Sequence, residues 1–181
     1  MPSPLAHAVF GASLWPVMKA ANAPPRTWVW GAALAVLPDI DFVGFVMGVP
    51  YETIWGHRGI THSVFFAVLA ASFAWWLFQR RHNVRPPLLW LYFVLAALSH
   101  GALDALTDGG LGVAFFAPFD ATRYFFPFRP ILVSPLSLEK VLTMRGVRIL
   151  LNEIQWVGVP ALILVLLGRV KQEIMQRSVP A

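Results

Sequence analysis

The chain has 181 residues, one domain's worth, and 57% of them are hydrophobic while only 13% are charged, far from the roughly 45–50% and about 25% of a soluble domain. A net charge of +5 does not indicate a nucleic-acid partner, because the basic residues are scattered between apolar segments and form no continuous stripe. The absence of cysteine excludes disulfides, thiolate zinc sites and cysteine nucleophiles together, so any metal must be held by histidine and carboxylate.

The opening MPSPLAHAVFGASLWPVMKA lacks the basic n-region and small-residue cleavage site of a secretory signal, and is read as mature structure. A first helix is expected from Leu5 to about Ala20, with Ser3 as its cap and a kink at Pro16. After a turn over Asn22 to Arg26, Thr27 is expected to cap a second helix through Trp28 to Leu37. Pro38 disfavours helical geometry at the residue before it, which puts Asp39 and Asp41 at a break or kink. Residues 42–49 either continue as helix or form a re-entrant piece, and Pro50 to Gly59 reads as loop.

A third helix, capped by Thr61 or Ser63, runs to about Gln79, and Arg80, Arg81 and Arg85 make a basic turn closed by Pro86 and Pro87. A fourth helix reaches about Leu106. The stretch from Asp108 to Gly146 is rich in glycine, proline and aromatic residues, and loops this long are more often functional than idle. A fifth helix spans Val147 to Gly168, followed by a polar tail. The runs Ile60–Gln79, Pro86–Thr107 and Val147–Gly168 are each near the ~20 residues that cross a hydrocarbon core. The expected fold is therefore all-α, a single polytopic membrane bundle over residues 1–181 with about five spanning or half-spanning helices.

Lysine and arginine set the orientation. With the first helix running outside to inside, the inner segments hold Lys19, Arg26, Arg80, Arg81, Arg85, Arg169, Lys171 and Arg177, against the single acid Glu173. Arg58, Arg123, Arg129, Lys140, Arg145 and Arg148 fall on the other side with the remaining acids, and so does the long loop. In this arrangement His7, Asp39, Asp41, His57, His62, His100, Asp104 and Glu153 all lie at the non-cytoplasmic ends of their helices, whereas His82 lies in the cytoplasmic turn.

Ionisable groups near membrane spans are costly and default to a functional reading. His100 and Asp104 are four residues apart and share one helix face, a metal-ligand spacing. Singly, each group has a plainer role: His7 as a helix-end histidine, Asp39 or Asp41 as a cap, His57 as a loop residue, His62 as a packed one. Together they fit one or more divalent ions, zinc first, with manganese or iron also suited to imidazole and carboxylate. More than four candidate ligands allows two metals that activate a water and clamp a transferring group. Arg123, Arg129, Arg145 and Arg148 either grip a phosphate or snorkel from an interfacial belt of Tyr124, Phe125, Phe126 and Phe128.

The N-terminal histidine, PDID, HRGITHS, SHGALDALTDGG, the RYFFPFRP segment and the NE…W of the fifth helix resemble the YdjM family of LexA-binding, inner-membrane-associated metal-dependent hydrolases. The likeness covers nearly the whole chain and implies a multi-span protein of the bacterial inner membrane. A weaker likeness is to zinc-dependent phospholipase C, where an early histidine, an aspartate after proline and an HxxxD pair hold metals for phosphoester cleavage. On that pattern His7, Asp39, His57, His100 and Asp104 are ligands. The later histidines of that enzyme have no counterpart after His100, with Asp41, His62, Asp108 or Glu153 as substitutes.

The leading expectation is a membrane-embedded metal-dependent hydrolase of a lipid or lipid-linked phosphoester at the outer face of the inner membrane. Asp41 or Glu153 would act as base and the four arginines would hold the phosphate. The competing readings are a metal or proton transporter, which would want mid-membrane ionisable groups and often a repeat, and a metal-stabilised membrane scaffold without catalysis.

Overall fold

The computed structural model of the chain describes residues 1–19, 23–82, 87–134 and 143–178, and every regular element among them is helical. The expectations placed on Ala20, Asn22, Arg85, Pro86 and Lys140 fall outside the described residues.

Helix α1 (Pro4–Ser13) starts as expected: Ser3 is extended, its hydroxyl accepts from the Ala6 amide at 3.2 Å, and Pro4 takes the first position, where a missing N–H has no helical partner to lose. The helix breaks at Leu14, two residues before Pro16, and resumes as the short α2 (Trp15–Met18). The next helical stretch, Pro25–Val46, is continuous over 22 residues. It comprises a 3₁₀ turn, α3 (Trp28–Val36), a second 3₁₀ turn at Leu37–Asp41, and α4 (Phe42–Val46). Thr27 does not cap α3, because its hydroxyl turns back to donate to the Pro24 carbonyl at 2.6 Å. Pro38 sits at the start of the second 3₁₀ turn and tightens the helix instead of ending it, so Phe42–Val46 continues the same rod until Gly48, at φ +89°, closes it.

Helix α5 (Val64–His82) is capped by Ser63, whose hydroxyl accepts from the Phe66 amide at 3.1 Å. It is 19 residues long, yet among the described residues the three helices both long and apolar enough to cross a membrane are Pro25–Val46, α6 (Pro87–Ala105) and α7 (Met144–Arg177). The cationic last turn of α5, Arg80, Arg81 and His82, separates it from them. Helix α7 begins earlier than expected because the Thr143 hydroxyl caps it, accepting from the Gly146 amide at 3.3 Å. It also continues through the polar tail to Arg177. There Lys171 Nζ and Gln172 Nε2 donate to the carbonyls of Val17 and Pro16, both at 2.9 Å, docking the helix on α2. Its π turn at Ile154–Gly158 lies just below Pro160, which has no N–H to close a regular turn.

Helix α6 is the centre of the bundle: 67% of its apolar window is buried, against 28% for Pro25–Val46 and 22% for α7. α1, α3 and α5 pack on it, and α1 also packs on α3 and α7. The α1–α3 crossing is tight because both helices bring small residues to it; a Cβ at Gly11 would lie 2.5 Å from that of Ala35. Outward-facing residues such as Leu69, Phe73, Leu162 and Leu166 are exposed, the pattern of a surface solvated by hydrocarbon. Residues 106–134 fold back over one end of the bundle. Phe126 and Asp108 amides bond to the Ala105 and Ile131 carbonyls at 3.0 Å, and Ala114 donates to Arg58 O at 3.0 Å.

Candidate metal centre

At that end the first turns of α1, the 3₁₀ turn Leu37–Asp41, the loop into α5 and the last turns of α6 converge. His7, His100 and Asp104 are completely buried there, and the side chains of Asp39 and His57 are each 10% exposed. His62 Nε2 lies 2.9 Å from His100 Nε2, 3.4 Å from Asp104 Oδ2 and 3.9 Å from Asp39 Oδ1. His100 Nε2 is 3.4 Å from Asp39 Oδ1, and His7 Nε2 is 3.6 Å from Asp104 Oδ1. The His7 and His100 rings stack with centroids 3.8 Å apart.

The hydrogen bonds behind these rings decide what the facing nitrogens carry. His100 Nδ1 is 2.7 Å from the Ala35 carbonyl, which only accepts, so that nitrogen holds the proton and Nε2 presents a lone pair. His62 Nδ1 lies 3.1 Å from Asp41 Oδ2 and 3.1 Å from Thr61 Oγ1, whose own proton goes to Asp41 at 2.6 Å; it too is the protonated nitrogen. With both rings neutral, two lone pairs face each other at 2.9 Å, a contact that either a metal ion or a proton held between the two nitrogens relieves. Both oxygens of Asp39 and Asp104 and both ring nitrogens of His7 are buried without a hydrogen-bond partner in the protein.

Charge points the same way. Among the described residues, Asp39, Asp41 and Asp104 crowd together with one guanidinium in ion-pair contact, Arg58, an excess of carboxylate that a divalent cation would offset. Donors around a zinc at ~2.0–2.1 Å stand about 3.3 Å apart, close to the separations seen here. Three overlapping sets are close enough to share an ion: His7, Asp39 and His100; Asp39, His57 and His62; His62, His100 and Asp104. The donor set fits a divalent metal.

Around these donors stands a ring of orienting groups. Asp41 has no free oxygen facing the cluster: Oδ1 binds His57 Nδ1 at 2.7 Å, and Oδ2 takes the Arg58 amide, Thr61 and His62. Asp39 and Asp41 diverge because successive residues of a 3₁₀ turn are 120° apart. Arg58, 1% exposed, sets Nε 2.9 Å from Asp104 Oδ2 as an ion pair off the line of a hydrogen bond, and donates to Gly109 O at 2.9 Å and Thr107 Oγ1 at 3.1 Å. Its own φ is 63°, and Gly110 at φ +91° leaves room for it, since a Cβ there would meet Arg58 Nη1 at 2.7 Å.

Of the arginines expected to bind phosphate, Arg123 is held by protein: its guanidinium donates to the carbonyls of His57 at 3.0 Å, Tyr51 at 2.8 Å and Thr53 at 3.1 Å, pinning the loop before α5. Burial lowers its pKa below the ordinary arginine value. Arg129 lies over the Phe125 ring at 4.8 Å. Arg145 and Arg148 are exposed and line a cleft of about 870 Å³ with Asp108, Leu132 and Val133. Glu153 is buried away from the donor sets, its carboxylate accepting from Ser3 N at 2.5 Å and Ser3 Oγ at 2.7 Å, an anion at the positive end of α1. Asp120 pairs with no arginine among the described residues; it accepts from the Thr122 amide at 2.8 Å.

Sequence reasoning missed Arg58, Thr61 and Thr107 as site residues. The signal was present in HRGITHS, where a charged residue stands between two site histidines in a chain short of charge.

The model of the YdjM inner membrane protein family matches residues 1–177. The chain is 34% identical over 164 residues to the inner membrane protein YbcI of Escherichia coli (strain K12), covering 91% of this chain and 95% of that one. No solved structure gives a significant match.

Proposed function

Because the chain belongs to the YdjM family of inner membrane proteins, we propose that it is a membrane-embedded metal-dependent hydrolase that cleaves a lipid or lipid-linked phosphoester. The observation that carries this reading is the pair of histidine Nε2 atoms 2.9 Å apart beside two buried carboxylates that accept no hydrogen bond from the protein. His7, Asp39, His62, His100 and Asp104 would hold the ion, zinc by preference, and when bound it would supply Lewis acidity to the ester and the attacking water.

The chain's own residues do the rest. His57 is the less buried histidine of the cluster and has Asp41 behind its Nδ1, so its Nε2 is assigned as the base that takes a proton from the attacking water. The water oxygen joins phosphorus, the ester P–O bond breaks, and the proton held at His57 returns to the leaving oxygen. Asp41 acts through His57 and His62 as a positioning residue. Arg145 and Arg148 are assigned to the anionic headgroup at the membrane surface.

The test is release of phosphate or a phosphorylated headgroup from phospholipids and polyprenyl phosphates in detergent, with chelation and metal re-addition as controls. Metal-dependent release is expected, and His57→Gln should keep its metal while losing most turnover. Cleavage of carboxylic esters alone would overturn the phosphoester reading. A chelated protein that only melts at a lower temperature would leave the site a scaffold.

The site is assigned to the non-cytoplasmic side, because Lys19, Arg80, Arg81, Arg169, Lys171 and Arg177 gather at the opposite helix ends. A cysteine replacing Asp120 in this cysteine-free chain should react with a membrane-impermeant thiol reagent in spheroplasts, and one replacing His82 should not. The reverse pattern would put the site in the cytoplasm.

A further inference from the structure

The donor cluster is nearly sealed. The side chains of His7, His62, His100 and Asp104 have no exposure, which leaves Asp39 and His57, each at 10%, as its outlets. The His57 side is covered: the Tyr51 ring lies across it at 5.4 Å, and Arg123 pins the backbone of both residues. The Asp39 side opens into a pocket of about 280 Å³ lined by Met1, Pro2, Ser3, Pro4, Phe42 and Ser134.

We propose that this pocket is the substrate's way in, that it opens to the bilayer, and that it admits the phosphoester end of a small-headgroup lipid while the acyl or prenyl chains stay in the membrane. What happens at Asp39 rests on the hydrolase reading; the route does not. Size is the first reason. A phosphate with its nearest carbons is of a size with this pocket of about 280 Å³, and a bulkier headgroup would have to spread beyond its mouth.

The second reason is where the walls lead. Pro4 and Phe42 are apolar, and Leu5, Ile40 and Val43, which follow Pro4, Asp39 and Phe42 in the chain, are 68%, 58% and 58% exposed. Ile40 and Val43 belong to the spanning stretch Pro25–Val46, so the rim lies on a surface built for hydrocarbon. The third is Asp39 itself, which lines the pocket and whose two buried oxygens accept no hydrogen bond from the protein.

The experiment uses the full-length, metal-loaded protein in nanodiscs containing phosphatidic acid with a diazirine on the acyl carbons next to the glycerol, located by mass spectrometry after photolysis. Adducts are expected at Pro4, Phe42 or Ser134. Ser134→Trp should reduce them several-fold, with metal content unchanged. Phe42→Ala should raise cleavage of large-headgroup lipids relative to small ones, a gain that misfolding does not produce. Adducts confined to the outward faces of α5 and α7, with Ser134→Trp indifferent, would overturn the proposal even if the wild type cleaves lipid. Pocket adducts in a protein that cleaves nothing would support the route and end the hydrolase reading.

Discussion

Purified His62→Ala and His100→Ala proteins are each expected to contain almost no divalent metal, while His82→Ala, whose ring packs on Phe78 at the far end of α5, keeps the wild-type content. The facing nitrogens of His62 and His100 are the closest donor pair in the cluster, and an alanine at either takes a donor from two of the three sets. The loss should exceed that of Asp41→Asn, where an orienting group alone is weakened and affinity typically falls about 10–100-fold. Metal analysis of the four proteins, with competition by a chelator of known affinity, reads the order. Equal content in all four would remove His62 and His100 from the ligand set.

The second large effect is expected at Arg58. Its guanidinium is the buried countercharge to Asp104 and also ties Thr107 and Gly109 to the loop before α5. Removing one member of a buried ion pair leaves the other uncompensated and costs about 3–5 kcal/mol, so Arg58→Met should lower the melting temperature of the chelated protein by roughly ten degrees. Metal should restore part of the loss, because a cation beside Asp104 takes over some of the neutralisation. Arg58→Lys should not rescue it fully, since one ammonium lacks the planar fork that reaches three separate acceptors. Melting in detergent with and without metal measures this. An Arg58→Met protein as stable as wild type in both states would contradict the charge balance drawn for the cluster.

The helical bundle was legible in the sequence because apolar runs, prolines and cap residues act locally. Ser3 and Ser63 cap the helices expected of them. Thr27 does not, since nothing local distinguishes a hydroxyl bonding forward to an amide from one bonding back to Pro24. Of the break or kink that Pro38 predicts, the structure shows no break: proline is tolerated at the start of a 3₁₀ turn, and the rod continues to Val46. The end of α7 lies beyond the apolar run because its polar tail is docked by Lys171 and Gln172 onto α2, more than a hundred residues away in the chain.

The cluster follows the same division. The i, i+4 pair His100 and Asp104 was readable from periodicity, and alternation of helix direction was enough to bring His7, Asp39, His57 and His62 to the same end. Which carboxylate faces the cluster was not readable: Asp39 and Asp41 differ by two residues on a tight turn whose pitch the sequence did not reveal. Glu153 sits at the correct end of α7 but meets Ser3, a partner 150 residues away. Arg58 lies in the loop expected over Pro50–Gly59, but its burial was not legible there, because it depends on the fold-back of residues 106–134 and the space left by Gly110.

The central claim is that His62, His100 and their neighbouring carboxylates hold a divalent metal. X-ray absorption at the metal edge of the purified wild type tests it most directly. The account predicts a first shell of nitrogen and oxygen at ~2.0–2.2 Å with the outer-shell scattering of several imidazoles, lost in His100→Ala. A protein that binds no metal, or one whose metal shows oxygen ligands without imidazole, would contradict it.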